Sequence, residues 1–348
     1  MGVRLSGRFI LLPLKGDTNT MMGKRLSIAL VLIAILAAPV AAQVSIGGAQ
    51  SLYIHPGGRP AGMGDAFVSI ADDATAVWWN PAGLAFLEST YNVSLMHSRL
   101  VPDWDDVYYE YAGYAQRVEG LGTIGGSLIY LTYGEQQATT PDDSTPFATF
   151  HSYEVIPSIA YGALLGDNLG IGVNLKFIYV DLAPAEVTVE GQQGSGTTFA
   201  ADFGALWKLM DGRWSVGGAV QHVGPKIAYI DEEQKDPLPR NLKVGTSYKV
   251  LEDEMNELTV SADYNKSLVI VEDIPDPTQG VVLNVGAEYR YYDLFALRGG
   301  YVYDEDGENK DFSFGMGLSY RNFSFDVANV PQAEGLKRPF RFSMTAAF

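Results

Sequence analysis

Residues 169–179, with the sequence LGIGVNLKFIY, decide the fold of this chain. Large apolar side chains occupy every second position: Leu169, Ile171, Val173, Leu175, Phe177 and Tyr179. Small or polar residues lie between them: Gly170, Gly172, Asn174 and Lys176. A period of two is typical of a β-strand that has one apolar and one polar face. The stretch therefore predicts a strand whose apolar face carries no charge.

The same alternation recurs elsewhere along the chain. It is found in 199–209, 258–265, 281–290 and 312–321, where the apolar face again lacks charged residues. The sequence predicts fourteen strands, near 91–99, 107–117, 121–133, 150–163, 169–181, 197–209, 213–222, 240–250, 257–265, 281–291, 294–303, 311–321, 323–329 and 339–348. Alternation alone also fits a soluble β-sandwich, so the connections have to decide between the two classes.

The predicted connections alternate in length. Long links follow the odd strands and short links follow the even strands. Short turns at 210–212, 292–293 and 322 fall on one rim, and the long links 182–196, 223–239 and 266–280 fall on the other. Outer-membrane barrels have this asymmetry, with short periplasmic turns, longer outer loops and aromatic residues at the strand ends. Residues 91–348 are therefore predicted to form an all-β, antiparallel transmembrane barrel of the outer membrane.

The amino-acid composition excludes several other classes of protein. The 348 residues are 47% hydrophobic, which is too apolar for a disordered chain, and a net charge of −17 argues against a nucleic-acid partner. The chain has no cysteine, so it has no disulfides, thiolate zinc sites or cysteine nucleophile. We expect no cofactor and no metal site.

An enzymatic function is not expected either. The Gly-x-Gly-x-x-Gly match at 120–125 runs into a predicted strand, whereas a dinucleotide site needs a following helix. The four histidines, His55, His97, His151 and His222, have no metal-ligand spacing. No catalytic residue is assigned.

The N-terminus has the features of an export signal. Lys24 and Arg25 precede an apolar run of about 13 residues, and small residues at 40–42 precede Gln43. The run is too short for a transmembrane helix. Residues 1–42 are predicted to be a cleaved signal peptide whose true start is Met21 or Met22. They contain five basic residues and one acidic residue, so the mature chain carries 19 positive and 40 negative residues, a net charge of −21.

Residues 43–90 do not alternate, and they precede the first strand. Helix-like stretches are predicted at 64–71 and 74–79, with Asp72 and Asp73 capping the second. Fourteen strands enclose more space than side chains alone can fill. Glycines on the predicted inner face either make room for 43–90 as a small helical hatch, or plug, or mark bends; they are Gly170, Gly172, Gly204, Gly245, Gly286, Gly315 and Gly317.

Two motifs in this segment point to a family. The stretch 57–68, GGRPAGMGDAFV, is followed by ADDA at 71–74 and by WNPAGL at 79–84. They resemble the N-terminal box of PorV/PorQ-type proteins, which belong to the FadL-like barrel superfamily. The resemblance implies an Asn-Pro-Ala element in a hatch inside a fourteen-stranded barrel. It extends loosely over the whole mature chain.

The resemblance implies two different functions. PorV-like proteins are type IX secretion components that receive or deliver cargo proteins, with secretion-translocon subunits as partners. FadL-like proteins are channels for long-chain fatty acids or other hydrophobic compounds. The Met63-Gly64-Asp65 match favours the PorV branch, the channel is the alternative, and a closed structural barrel is a third possibility. Outer-membrane lipid and the insertion machinery are partners in every case.

Candidate site residues fall into three groups. The hatch box comprises Arg59, Pro60, Gly62, Met63, Gly64, Asp65, Asp72, Asp73, Asn80, Pro81 and Ala82. The charges predicted to face the lumen are Lys176, Asp202, Lys208, Lys243, Asp263, Glu288, Arg290 and Arg341. The terminal aromatic Phe348 on an alternating last strand resembles the barrel-insertion signal.

Several of these residues have expected roles. Arg59 is expected to pair with Asp65 or to meet a carboxylate ligand. Asp72 and Asp73 are a weak calcium signal, so helix capping is preferred. Asn80-Pro81 is expected to close a helix and turn the chain into the first strand. The inward charges are expected to hold the hatch rather than to form a selectivity filter.

Overall fold

A computed structural model describes residues 48–140, 142–231, 233–269, 280–332 and 337–348. The predicted signal peptide at 1–42 and the first residues of the predicted hatch, 43–47, lie outside the described residues. None of the helices in these ranges is long and apolar enough to cross a membrane.

Fourteen antiparallel strands close into one barrel, as predicted. Their order around the barrel is the order in the chain. The barrel strands are β1 (Tyr91–Arg99), β2 (Val107–Val118), β3 (Gly122–Ala138), β4 (Ala148–Leu164), β5 (Leu169–Ala183), β6 (Gly194–Leu209), β7 (Trp214–Val223), β10 (Asn241–Glu252), β11 (Asn256–Ser267), β12 (Val281–Tyr291), β13 (Phe295–Asp304), β14 (Asn309–Tyr320), β15 (Phe323–Asn329) and β16 (Phe340–Ala347). A two-stranded ribbon in the 224–240 link adds β8 (Ile227–Ala228) and β9 (Lys235–Asp236).

The barrel closes where β1 meets β16. Ser94 pairs with Thr345 in this ladder, and His97 pairs with Phe342. The N–H of Tyr91 donates to the carbonyl of Phe348 at 2.9 Å, and the N–H of Phe348 donates back at 2.8 Å. The first and last strands therefore seal the sheet, and no edge remains there.

Links between strands follow the predicted alternation of length. The short connections are 119–121, 165–168, 210–213, 253–255, 292–294 and 321–322. The connections on the other rim are longer, except for the four-residue link 305–308. We call the two ends of the barrel the short rim and the long rim.

The apolar face of each strand points outward. Leu175 is 51% exposed, Phe199 63% and Phe314 58%, while the alternate residues Asn174 and Lys176 are buried. This orientation is the one expected of a barrel that faces lipid.

Residues 48–90, called the hatch segment below, pack against the inner face of the strands. Their regular elements are short: a 3₁₀ helix Gln50–Tyr53, an α-helix Gly58–Gly62, an α-helix Ala76–Trp79 and a 3₁₀ helix Pro81–Phe86. Phe67, Trp78 and Trp79 in this segment are almost completely buried.

One helix prediction in this segment is wrong. Residues 64–71 are a series of turns, because Gly64, Asp65 and Ala71 have positive φ values of 64°, 62° and 35°. A right-handed helix cannot contain left-handed residues. The helix begins earlier instead, and Pro60 lies in its first turn, where its missing N–H costs nothing.

Candidate functional site

The charged centre of the hatch segment is Arg59. Its guanidinium donates to Asp72 within the hatch segment, with Nη1 2.5 Å from Oδ1. It also donates twice to Glu288 on β12, through Nε at 2.8 Å and Nη2 at 2.9 Å. Two adjacent hydrogen bonds from a planar guanidinium to one carboxylate are a strong and geometrically specific contact. Arg59 therefore fixes the hatch segment to the wall.

Two further charged side chains on the barrel strands, which form the wall, belong to the same network. Arg298 on β13 donates to the same Glu288 at 2.6 Å and to Asp326 on β15 at 2.7 Å. The side chain of Glu288 is 1% exposed, and those of Arg298 and Asp326 are each 5% exposed. Buried charges persist only when they are paired in this way.

The predicted pairing of Arg59 with Asp65 is wrong. Asp65 lies in the left-handed turn that follows the first helix, and this turn directs its carboxylate to His55 instead. His55 Nδ1 is 2.8 Å from Asp65 Oδ2, and Arg341 Nη1 on β16 is 3.6 Å from Asp65 Oδ1.

Burial and the nearby Lys243 lower the pKa of His55 to about 4. Burial opposes ionisation of Asp65, but contact with His55 and Arg341 prevails and holds the pKa of Asp65 at about 2. At neutral pH an uncharged imidazole therefore donates its Nδ1–H to an ionised carboxylate.

Asp263 on β11 holds the turns that follow Asp65. Its Oδ2 accepts the N–H of Phe67 at 2.8 Å and the N–H of Val68 at 2.9 Å. Asn284 on β12 donates to the carbonyl of Gly64. These wall side chains supply partners for backbone groups that would otherwise be buried without hydrogen bonds.

Lys243 on β10 lies over two tryptophans of the hatch segment. Its Nζ is 5.5 Å from the ring centroid of Trp78 and 5.2 Å from that of Trp79, and it donates to Asn265 at 3.1 Å. Cation–π contacts of this kind are strongest where water is excluded.

Asn80 connects three parts of the structure. Its side chain donates to the carbonyl of Val68 at 2.9 Å and to that of Ala205 on β6 at 3.1 Å, and its Oδ1 accepts the N–H of Ala82 at 3.1 Å. Asn80 ends one helix, as predicted, and Pro81 begins the next 3₁₀ helix, so the chain reaches β1 only at Tyr91. The prediction that Asn80-Pro81 leads straight into the first strand is therefore corrected.

Inward glycines bring the wall backbone against the hatch backbone. A Cβ at Gly172 or Gly204 would collide with Pro81 or Asn80, and a Cβ at Gly286 or Gly300 would collide with Met63 or Gly64. Gly170 and Gly315 meet hatch backbone in the same way, whereas a Cβ at Gly245 would collide with the side chains of Asp263 on the wall and Val68 in the hatch segment. Gly317 instead faces the side chains of Asp326 and Arg298. The glycines are thus needed for close approach, not as bends.

Asp72 does not cap the second helix. Burial opposes its ionisation, but Arg59 prevails and lowers its pKa. Asp73 Oδ1 accepts from the N–H of Thr75 at 2.7 Å and from its hydroxyl at 2.5 Å. Burial and the charge of Asp72 raise the pKa of Asp73. Asp73 thus orders the turn before Ala76, and Thr75 occupies the N-cap position.

The remaining predicted lumen charges have partners. Lys176 lies 2.6 Å from Asp202, and both are buried in the wall. Lys208 Nζ is 4.6 Å from the ring of Phe86. Arg290 pairs with Glu257 at 2.5 Å rather than with the hatch segment. Only some of the predicted charges therefore hold this segment.

One wall carboxylate that contacts the hatch segment is absent from the residues predicted from the sequence. Glu154 on β4 accepts from the N–H groups of Gln50 and Ser51 at 2.9 and 3.0 Å, from the Ser51 hydroxyl at 2.5 Å and from Tyr133 at 2.5 Å. Its inward position could have been found from the alternation of β4. Arg298 and Asp326 could have been found by the same test.

A small cavity lies between hatch and wall. This cavity of about 10 Å³, enough for about one water molecule, is bordered by Asp73, Thr75, Ser94, Ser343 and Thr345. In the described ranges, no group of three His, Cys, Asp or Glu side chains is placed to hold a metal ion. The arrangement is chemically suited to holding the segment in place.

Comparison with known proteins places this architecture in a family. The family model described as "Type IX secretion system protein PorV" matches residues 40–275. A search of curated proteins gives no match. The toluene transporter TbuX of Ralstonia pickettii aligns with a TM-score of 0.54 and 16% identity, covering 84% of this chain and 98% of that one. The toluene transporter TodX of Pseudomonas putida aligns with a TM-score of 0.53 and 13% identity, covering 84% and 97%.

The two kinds of comparison carry different weight. At these identities the transporters establish the shared FadL-like barrel fold and nothing more. The family match covers more than half of the chain, and it agrees with the box at 57–84. Family and fold are those of outer-membrane secretion or transport barrels. The chain belongs to the PorV family of type IX secretion system proteins.

Proposed function

We propose that this protein is a type IX secretion component that receives or delivers secreted cargo at the outer membrane. The observation that carries the proposal is the filled interior. Wall side chains bind the hatch segment from β4, β10, β11, β12 and β16, and wall backbone lies directly against hatch backbone at the inward glycines. A barrel filled in this way acts through its rims and its outer wall. Membership of the PorV family supports the assignment to secretion.

The long rim is the surface that we propose for cargo contact. Its links contain 18 acidic and 5 basic residues. Complementary charge on a partner would speed its association and orient it. A cargo domain or translocon subunit with a basic face fits this rim.

A hydrophobic-compound channel is the second candidate. The fold shared with two toluene transporters favours it. The packing of the hatch segment is against it, because a solute could pass only after the contacts of Arg59, Asp263 and Glu154 had been broken. The secretion role needs no such rearrangement.

A charge-neutralised long rim tests the proposal in cells. Asp103, Asp105 and Asp106 are replaced together by Asn, and the matched control replaces Asp253 and Glu254 on the short rim by Asn and Gln. We expect the first variant to lose secreted cargo and the control to keep it, at equal levels of folded barrel. Normal secretion from cells that lack the whole protein would refute the secretion role.

Uptake by reconstituted vesicles tests the channel separately. Purified barrel in lipid vesicles is offered radiolabelled toluene and, in a parallel series, oleate. If the secretion proposal is correct, the barrel should take up each labelled compound no faster than protein-free vesicles do. Uptake that rises with the amount of barrel, and that changes in hatch variants, would support the channel instead.

A further inference from the structure

An ionisable pair lies on the lipid-facing side of the wall, next to the barrel closure. His97 on β1 and Glu110 on β2 are directly opposite each other in the ladder, with Nδ1 2.8 Å from Oε1. Their side chains are 45% and 43% exposed. The chain neighbours Met96, Ser98 and Tyr109 are buried, so the alternation places His97 and Glu110 on the outer face.

The depth of this pair can be judged from the aromatic residues of the short rim. His97 is six residues from Tyr91, which is exposed at that rim. Six residues of a strand tilted by about 40° rise by about 15 Å, whereas the apolar band of an outer-membrane barrel is about 25 Å tall. In a bilayer of even thickness the pair would therefore lie within hydrocarbon.

Other parts of the wall are apolar at the same height. Six residues from the short-rim aromatics Tyr161, Tyr291 and Tyr320, the outward residues are Val155, Val285 and Phe314. On β15, six residues from Phe323, the outward residue is Asn329, which accepts a hydrogen bond from Arg338. Polar residues at this height thus occur on β15, β1 and β2, close to the closure.

Strand length gives an independent indication. β15 has 7 residues, β16 has 8 and β1 has 9, whereas β3 and β4 each have 17. Seven tilted residues rise by only about 18 Å, which is less than the apolar band. The wall is therefore low in the sector that contains Asn329 and the His97–Glu110 pair, and in this sector β16 carries the exposed Phe342 opposite His97.

We propose that the outer-leaflet headgroup layer descends along β15, β16, β1 and β2 to the His97–Glu110 pair, so that the bilayer is locally thinner there. Polar headgroups and their water solvate the pair, because an ionisable pair in hydrocarbon costs more than bilayer thinning by several ångströms. This inference concerns the lipid contact and does not depend on the proposed secretion role.

Nitroxide labels on the full chain test the proposal, since the native chain has no cysteine. Phe342→Cys places a label opposite His97 in the ladder, six residues from Phe348. Val285→Cys on β12 is the matched control, six residues from Tyr291 and away from the closure; the native side chains at 342 and 285 are 54% and 49% exposed. Both labelled barrels are inserted into dioleoylphosphatidylcholine vesicles, and the accessibility of each label to a water-soluble nickel complex and to oxygen is measured.

We expect the nickel-to-oxygen accessibility ratio to be at least threefold higher at 342 than at 285. Equal ratios would overturn the proposal, and so would a label at 342 that neither reagent reaches, because protein would then cover this sector. In the Phe342→Cys chain, replacing both His97 and Glu110 by Leu is expected to lower the ratio, and an unchanged ratio also contradicts the proposal. If that variant does not insert, the comparison of 342 with 285 decides.

Discussion

Gly300, on the inner face of β13, lies against the backbone of Gly64 in the hatch segment. A Cβ on Gly300 would overlap the N and Cα atoms of Gly64 and the carbonyl carbon of Met63. The neighbouring Gly299 points outward and has no atom within 4 Å of the position its Cβ would take. Of these two adjacent glycines, only Gly300 therefore has no room for a side chain.

This difference predicts opposite results for two alanine variants. Gly300→Ala should lower the free energy of unfolding by about 1–3 kcal/mol or more, because it forces hatch and wall apart. Gly299→Ala should change it by less than about 1 kcal/mol. Urea unfolding of the barrel in micelles and limited proteolysis of the hatch segment measure both. If both variants change the free energy of unfolding equally, the close backbone contact at Gly300 does not account for the effect.

Glu288→Gln should weaken the attachment of the hatch segment to β12. Removing the carboxylate leaves Arg59 and Arg298 without their shared buried partner, which typically costs about 3–5 kcal/mol. Glu257→Gln is the control, since its pair with Arg290 is more exposed and should contribute less. The measurements are unfolding in urea and the rate at which protease cleaves the hatch segment. A Glu257 variant as unstable as the Glu288 variant would contradict the prediction.

The hatch segment should be less stable in acid. The pKa of His55 is lowered in the folded chain from its ordinary value of 6.5 to about 4, so the unfolded chain binds the proton first. The contribution of His55 to stability is therefore complete above pH 6.5 and is lost as the pH falls toward 4, by at most about 3 kcal/mol. The lowered pKa of Asp65 adds a further loss as the pH falls from 3.8 to about 2.

A histidine variant isolates the contribution of His55. His55→Gln should remove the pH dependence that His55 causes between pH 6.5 and pH 4. The free energy of unfolding is measured at steps from pH 7 to pH 4 for the native chain and the variant. If the free energy of unfolding falls equally with pH in the native chain and in the variant, another group causes the acid sensitivity.

Glu154 should order the start of the hatch segment. In Glu154→Gln the side chain loses its charge and one acceptor oxygen, so it cannot accept all four hydrogen bonds from Gln50, Ser51 and Tyr133. We expect hydrogen exchange of the Gln50 and Ser51 amides to become at least tenfold faster. Amides in the strand Tyr91–Arg99 should be unaffected and serve as the internal reference. Unchanged exchange at residues 50 and 51 would rule out this role for Glu154.

Phe348 has an observed closure contact and a proposed insertion role, which variants can separate. Phe348→Ala keeps its backbone bonds to Tyr91 but loses the ring contact with Phe323, whose centroid is 5.8 Å away. Deleting Phe348 removes both. If the ring is the insertion signal, as we propose, both variants should lower the fraction of folded barrel in the outer membrane. A normal folded fraction for Phe348→Ala would assign Phe348 to closure alone.

The barrel can be predicted from the sequence alone. Strand number, strand bounds within a few residues and the alternation of link lengths all follow from a period-two pattern, because each strand repeats the same requirement of an apolar outward face. Inward glycines such as Gly172 and Gly204 could also be identified, since the pattern fixes which face each residue occupies.

The contacts of the hatch segment cannot be predicted from the sequence and are seen only in the tertiary structure. Arg59 pairs with Glu288, 229 residues away, rather than with the nearby Asp65, and nothing in the local pattern distinguishes these partners. The turn at 64–71 was mistaken for a helix because its left-handed residues are stabilised by Asp263 and Asn284 on distant strands. Local periodicity sets the faces of a strand, whereas partners inside a closed barrel are chosen by the packing of segments far apart in the chain.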